Sequence, residues 1–354
     1  MSTVLEITPG VPPDWPELTT GLPAAVRPRW ITFGQSWYPG AYHTYALRDA
    51  DGGCIAALGG AVLPERPAVA RRDPYAILSG ELAAAGFLPH GPHPWQGLDP
   101  GAPFPCLMLM YPYYQTLPVG SAAAEPAVLY EYVATLVDWA AGQGVRSIVL
   151  PYLTAGSEDL VVALRKAGFG VGHLLDRCDL PVKWSDFDGY LATLPSKRRI
   201  EVRRELAQTA ERGLVPVCRP LAAREPELLD LRCQLVAKYS GTVDRAAEAA
   251  MLESIRAHVR DEDLCVFALL DGNRTVSFSL FIQDGSEWTA MLTGSDYTTA
   301  NSALGYFSTL FYQPIREASG RGIHQISYGP ASVDAKRRRG CTVSACYVAE
   351  LRIA

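Results

Sequence analysis

Between Tyr42 and Leu63 two largely apolar runs flank the polar turn Asp51-Gly52-Gly53, and that pattern predicts a β-hairpin. A Pro- and Gly-rich stretch then leads into an apolar strand over Cys106–Tyr111. Within Pro126–Ala141, Leu129, Val133, Leu136, Val137 and Ala140 fall in i, i+3, i+4 register and predict an amphipathic helix. A buried-type strand over Ser147–Leu150, a helix over Asp159–Ala167 and a strand over His173–Leu180 follow.

The second half repeats this order. Leu264–Leu270, Thr275–Ile282 and Trp288–Thr293, joined at Asp271-Gly272 and Asp284-Gly285, predict a three-stranded antiparallel meander. The loop Gly294–Ser302 leads to a helix over Ala303–Ala318 and a strand over Ile323–Tyr328. At an offset of 178 residues, LVDWAAGQGVRSIVLPY (Leu136–Tyr152) lies over PIREASGRGIHQISYGP (Pro314–Pro330). Gly142 and Gly144 then fall on Gly320 and Gly322, where a helix end is expected to need a residue tolerant of positive φ. We read the two halves as a duplication.

Composition narrows the class. At 354 residues, 48% apolar and 19% charged, the chain reads as soluble, globular and two-domain. No apolar run approaches the roughly 18 to 20 residues of a membrane span, and Met1–Gly21 is Pro-rich and acidic, unlike a signal peptide, so a cytoplasmic location is expected. The eight cysteines form no CxxC and the six histidines no HExxH, so neither a disulfide framework nor a metal is expected. Residues 1–180 carry 10 basic and 16 acidic side chains, against 22 and 21 in 181–354.

The excess arginine gathers in two places. In SKRRIEVRREL (Ser196–Leu206), Ser196 is expected to cap a helix reaching about Arg212, with Val202, Leu206 and Ala210 as its buried stripe. Arg199 and Arg203 share another face, which reads as a solvated face laced by ion pairs or as a phosphate contact. Lys336–Arg339, four consecutive basic residues followed by Gly340, has few acidic neighbours in sequence, and phosphate contact stands level there with a solvated loop. Neither cluster is interleaved with aromatic residues, which argues against sequence-specific reading of nucleic acid.

Meander, loop, helix and strand is the order of the N-acetyltransferase (GNAT) fold. Two such units in tandem resemble the FemAB-like family of peptidoglycan-type aminoacyltransferases and related acetyltransferase-like domains. SDFDGYLATLPSKRRIEVRREL (Ser185–Leu206) and YFSTLFYQPIREASGRGIHQISYGPASVDAKRRRG (Tyr306–Gly340) carry the resemblance, with Lys336 and Gly340 at the family's terminal lysine-glycine segment. It implies an α/β (α+β) fold of two GNAT-like domains, each a mixed, mainly antiparallel sheet flanked by helices. The expected division is a Pro-rich extension at 1–24, a first domain at 25–184 and a second at 185–354.

The resemblance also places acyl transfer where the strands Trp288–Thr293 and Gln325–Gly329 splay apart. Attack of an uncharged amine on an activated ester needs donors for the developing oxyanion, and backbone N–H groups freed at the splay would supply them. Thr293, Tyr297, Tyr328 and Ser332 are candidate hydroxyls and Lys336 a candidate catalytic cation, each also readable as a structural residue. His324 shares a strand face with Ile326 and is expected to be a buried or helix-end histidine. In the first domain Tyr113, within YPYYQ, and Trp37 are candidates for binding the acceptor, as is ARRDPY (Ala70–Tyr75).

Acetyl-CoA-dependent relatives usually carry Q/R-x-x-G-x-G/A at the loop that opens the helix, where backbone N–H groups hold pyrophosphate. Neither LPVGSAAAEP (Leu117–Pro126) nor SDYTTANSALG (Ser295–Gly305) has it, although Asn301 and Ser302 are placed to cap the helix and favour an anion. The resemblance therefore favours an aminoacyl-tRNA donor, with acyl-CoA as the alternative and no resident cofactor. The acceptor would be an amine of a small molecule or peptide, a cell-wall precursor or specialised metabolite. Arg199, Arg203, Arg337 and Arg338 are candidate phosphate contacts. A non-catalytic binding module on the same fold is the reading from another class.

Overall fold

The computed structural model describes residues 2–35, 40–67, 72–84, 93–111, 113–221, 225–241, 243–299 and 301–353. Twelve strands occur among them. The first six are β1 (Val4–Pro9), β2 (His43–Arg48), β3 (Cys54–Leu63), β4 (Cys106–Leu109), β5 (Ser147–Leu153) and β6 (Gly170–Pro181). The others are β7 (Val215–Arg219), β8 (Leu264–Asp271), β9 (Arg274–Asp284), β10 (Glu287–Ser295), β11 (Gln325–Gly329) and β12 (Thr342–Arg352). They fall into two compact units, Met1–Arg177 with Ser344–Ala354, and Cys178–Val343.

In the first unit the strand order is β1-β2-β3-β4-β5-β12-β6. β4 and β5 run parallel, whereas β1/β2, β2/β3, β3/β4 and β5/β12 are antiparallel. The expected turn of the β2–β3 hairpin forms because Gly52 takes φ 84° and the Asp49 carboxylate accepts the amides of Asp51 and Gly53. Alternation sorts the side chains onto two faces. Leu107, Leu109, Ile148 and Leu150 pack with Leu129, Tyr132, Val133, Leu136 and Ala140 of the helix Pro126–Gly142. Cys106, Met108 and Val149 join the opposite cluster around Trp95, Tyr75 and Leu78. Burial on both faces explains the unbroken apolar runs of β4 and β5.

In the second unit the order is β6-β11-β10-β9-β8-β7, with β10 and β11 parallel and the other neighbours antiparallel. The expected meander is β8 to β10, and Gly272 and Gly285 take φ 57° and 59° at its turns. Phe267, Phe281, Trp288, Phe311, Ile326 and Tyr328 form its core. The helix expected at Ala303–Ala318 runs from Ser302 and widens into a π-turn at Ser308–Tyr312.

Three local expectations change. Ser196 is the first helical residue of Ser196–Glu211, with Pro195 at the cap position. The helix buries Val202 and Thr209 and half-buries Leu206, while Ala210 is exposed. Thr209 turns inward because its hydroxyl donates to the Glu205 carbonyl at 2.8 Å, which leaves it no unmet polar demand. Of the paired glycines, Gly144 and Gly322 take φ 71° and 66°, as the helix ends require, but Gly142 and Gly320 do not enter the left-handed region.

Candidate active site

β10 and β11 pair in parallel at Glu287–Gln325, Trp288–Ile326 and Thr289–Ser327, and there the pairing ends although β10 continues to Ser295. A bulge at Met291, between Ala290 and Leu292 in the pairing with β9, bends β10 at the point of separation. The expected splay is present in the second unit. Two glycines let β10 and the following helix close onto their neighbours. A Cβ at Gly294 would lie 2.7 Å from backbone atoms of Leu231 and Arg232, and one at Gly305 would lie 2.5 Å from the Ser277 Cβ.

At the end of β11, Lys336 is buried at 4% exposure, and its ammonium donates to the carbonyls of Tyr328 (2.8 Å), Gly329 (3.1 Å) and Pro330 (2.6 Å). Three donors meet three acceptors, so the cation fastens the turn leaving β11. Tyr328 packs against Phe281 and Phe311, and its hydroxyl is buried with no hydrogen-bond partner among the described residues. Burial pushes that phenol well above its ordinary pKa, with the neighbouring Cys341, Tyr190 and Tyr306 adding to the shift, so it stays protonated. Ser332 is exposed at φ 49°, and Tyr306 hydrogen-bonds to it.

The four consecutive cations separate. Arg337 is exposed and pairs with Asp334 at 2.9 Å, and Arg338 is exposed. Arg339 is buried at 6% exposure, where it pairs with Glu205 at 3.1 Å, donates to the Tyr312 hydroxyl at 3.2 Å and stacks 3.5 Å from the Phe307 ring centre. The expectation that this run lacks local neutralisation is corrected: Asp334, Glu205 and the carbonyls of 328–330 partner three of its four cations. Arg199 donates to the Leu194 carbonyl at 2.8 Å, while Arg203 is exposed. His324 is exposed in the turn before β11 instead of buried.

The loop between β10 and the helix is tied down by its own groups. Asp296 is fully buried and accepts the Thr298 amide at 2.9 Å and its hydroxyl at 2.6 Å, with Arg274 paired to the other oxygen. Tyr297 donates its amide to Gln234 at 3.1 Å and its ring lies 3.8 Å from the Lys238 ammonium. Asn301 holds the cap position without capping, because its side-chain oxygen accepts from Arg212 at 2.6 Å. Ser302 opens the helix and Thr293 offers its carbonyl to Arg232 at 3.5 Å.

Burial opposes ionisation of Asp296, but the Thr298 donors and Arg274 outweigh it and hold the carboxyl below its ordinary value. A lowered carboxyl stabilises the fold above its unfolded pKa and loses that contribution as pH falls through the folded one. Asp296→Asn should therefore destabilise at about pH 7 and converge on the parent towards about pH 3, in denaturant unfolding at both pH values. An unchanged gap at low pH would remove the Asp296 charge from the loop's stability.

The corresponding parallel pair of the first unit is arranged differently. β4 and β5 pair over Cys106–Ser147, Leu107–Ile148 and Met108–Val149, after which Thr116 takes the β5 edge. Its amide donates to the Tyr152 carbonyl at 2.7 Å, its hydroxyl to the Pro151 carbonyl at 2.8 Å, and its carbonyl accepts from Thr154 at 3.2 Å. Val119 pairs with Ala57 of β3, and the amides of Ser121 and Ala122 go to the carbonyls of Cys54 and Ile55. The gap is filled by the chain itself. Tyr113 lies half-buried beside it at φ 83°, its ring 5.1 Å from Trp30. Trp37 and Ala70 and Arg71 of ARRDPY lie outside the described residues, whereas Asp73 and Tyr75 are buried.

No helix among the described residues is long and apolar enough to cross a membrane. Residues 196–337 match the acetyltransferase (GNAT) domain family. A comparison by sequence with curated proteins finds no match. Among solved structures, the chain is similar to FemX at 11% identity, covering 91% of this chain and 90% of that one, with a TM-score of 0.56. It is also similar to the C-terminal domain of a putative lysylphosphatidylglycerol synthetase from Agrobacterium fabrum (13% identity, 94% and 89% covered, TM-score 0.55). A tandem GNAT protein from the clavulanic acid biosynthesis pathway aligns over 99% of this chain and 98% of its own at 11% identity and a TM-score of 0.52. The splayed parallel pair, the bulged strand beside it and these likenesses agree: residues 196–337 match the GNAT domain family, and the chain as a whole has a fold similar to those of FemX and of a tandem GNAT protein.

Proposed function

We propose that the protein is an N-acyltransferase that moves an aminoacyl group from charged tRNA to an amine of a small-molecule or peptide acceptor, at the splay between β10 and β11. One observation carries the choice of donor. The Asp296 carboxylate takes the Thr298 amide and the Gln234 side chain takes that of Tyr297, in the loop where a CoA pyrophosphate would need free N–H groups and no negative charge. In the first unit the equivalent amides are spent on β3. The likeness in fold to FemX and to a putative lysylphosphatidylglycerol synthetase supports acyl transfer as the class of reaction.

In this reading the amine attacks the ester carbonyl, the acyl C–O bond breaks, and the amine's proton passes to the departing ribose hydroxyl. Backbone N–H groups of β10 at the Met291 bulge take the oxyanion. Tyr328, neutral and without an internal acceptor, donates towards the leaving oxygen; Thr293, Tyr297 and Ser332 orient the substrates at the rim. Lys336 acts through the turn it fastens. Arg203, Arg337 and Arg338 meet backbone phosphate.

The test is mass spectrometry of amide products with parallel sets of charged tRNA and acyl-CoA, with and without ribonuclease. Ribonuclease-sensitive product from charged tRNA is expected, with affinity falling by roughly 0.7 to 0.9 log units per log unit of salt for each phosphate contact. Ribonuclease-insensitive product from acyl-CoA would falsify the tRNA donor, and failure of every donor would favour a binding module. Tyr328→Phe should lower turnover about 100-fold while leaving the melting temperature near that of the parent.

A further inference from the structure

Two cysteines of the second unit lie on one sheet face under one arginine. Cys218 is exposed on β7, the edge strand, and Cys265 is buried on β8. The register pairs Cys218 with Phe267, so Cys265, two residues earlier on β8, is its diagonal neighbour on the same face. Arg321 sits over both: Nη1 donates to the Cys265 sulfur at 3.4 Å and Nη2 to the Cys218 sulfur at 3.5 Å. Glu317, at 3.1 Å, and the Trp288 ring, centred 5.8 Å away, hold the guanidinium in place.

We propose that Cys218 and Cys265 are a hydroperoxide-reactive thiol pair, in which Cys218 is the attacked nucleophile and Cys265 resolves it to a cross-strand disulfide. The Cys218 sulfur attacks the peroxide oxygen, the O–O bond breaks, and a sulfenic acid and water result. The Cys265 sulfur then loses its proton and displaces the sulfenic hydroxyl as a second water, forming the S–S bond. Two thiols are oxidised by two electrons in total and one peroxide is reduced to two waters.

Electrostatics assign the roles. A hydrogen bond from Cys265 is the largest influence on Cys218 and lowers its pKa; burial opposes it, the Arg321 charge reinforces it, and Glu317 works against it, leaving the thiol at about 6. Cys265, as the donor of that bond and more deeply buried, is pushed the other way. Burial raises the thiols of Cys54 and Cys106 to about 11 and about 12, whereas Cys218 is shifted the opposite way, which favours it as the nucleophile. The pair lies on β7 and β8, and β9 stands between β8 and β10, so the two sulfurs are on other strands than the splay of β10 and β11.

The full-length protein, treated with one equivalent of hydrogen peroxide at neutral pH and digested under alkylating conditions, should yield a peptide joining Cys218 to Cys265. In Cys265→Ser the same treatment should leave a dimedone-trapped sulfenic acid on Cys218. Arg321→Gln should slow iodoacetamide alkylation of Cys218 about tenfold at pH 7, with the fold monitored by circular dichroism. No joined peptide in the unaltered chain, or dimedone labelling of the other cysteines as strongly as Cys218, overturns the proposal. Joined peptide that survives Arg321→Gln at an unchanged alkylation rate overturns the part given to Arg321.

Discussion

Arg339→Met should be the most damaging single change in the second unit, lowering the unfolding free energy by about 3 to 5 kcal/mol. The guanidinium is buried against Phe307 and Tyr312, and its removal takes from the Glu205 carboxylate its cationic partner and leaves it the Tyr312 hydroxyl as a donor. Glu205→Gln in the same background should recover part of the loss, since an unpaired buried charge costs more than an unpaired amide. Arg337→Ala and Arg338→Ala, adjacent in sequence but exposed, should shift stability by no more than about 0.5 kcal/mol. Urea unfolding of the four variants checks the series. Equal losses across the three arginines would mean that Arg339 is not held as described.

Lys336→Met should cost about 3 kcal/mol and also reduce turnover. The ammonium is the shared donor of three consecutive carbonyls, and the flexible methionine fills its channel without satisfying any of them. Freed carbonyls would swing towards water and loosen the turn that leaves β11, which borders the splay. If the residue acts by positioning, the loss of turnover should appear in kcat with little change in KM for the acceptor, and added small ammonium ions should recover part of the activity. Lost turnover at full stability would instead give Lys336 a direct chemical role.

How far the sequence could be read depended on whether the cause was local. The Asp-Gly turns at 271–272 and 284–285 and the register of the Pro126–Gly142 helix are set within a few residues, and both appear where the periodicity places them. The splay was locatable only through the resemblance to the GNAT fold, because where two strands part leaves no mark in the residues themselves. The partners of Lys336–Arg339 were not. Glu205 lies 134 residues before Arg339, and backbone carbonyls carry no residue-type signature, so a run of four charges read as unneutralised. The filling of the first unit's gap by Thr116 was equally hidden, because its bonds are to the main chain of 151–154. Asn301 illustrates a competition: its residue type suits a helix cap, but Arg212 offers a charged partner and takes the side chain instead.

The place of β12 between β5 and β6 in the first unit bears on biosynthesis. Tyr347 registers with Leu153 and Arg352 with Ser147, contacts separated by roughly 200 residues of chain, and such long-range pairings form late because the intervening loop must be closed first. The first sheet therefore stays open along the β5 edge until residues 344–352 have left the ribosome, long after the rest of that unit has emerged. During that interval β5, buried on both faces in the finished fold, presents an unpaired apolar edge of the kind chaperones bind. Translation arrest anywhere between 178 and 343 would leave a nascent chain whose first unit is complete in all but its inserted strand, and prone to pairing with another copy of itself.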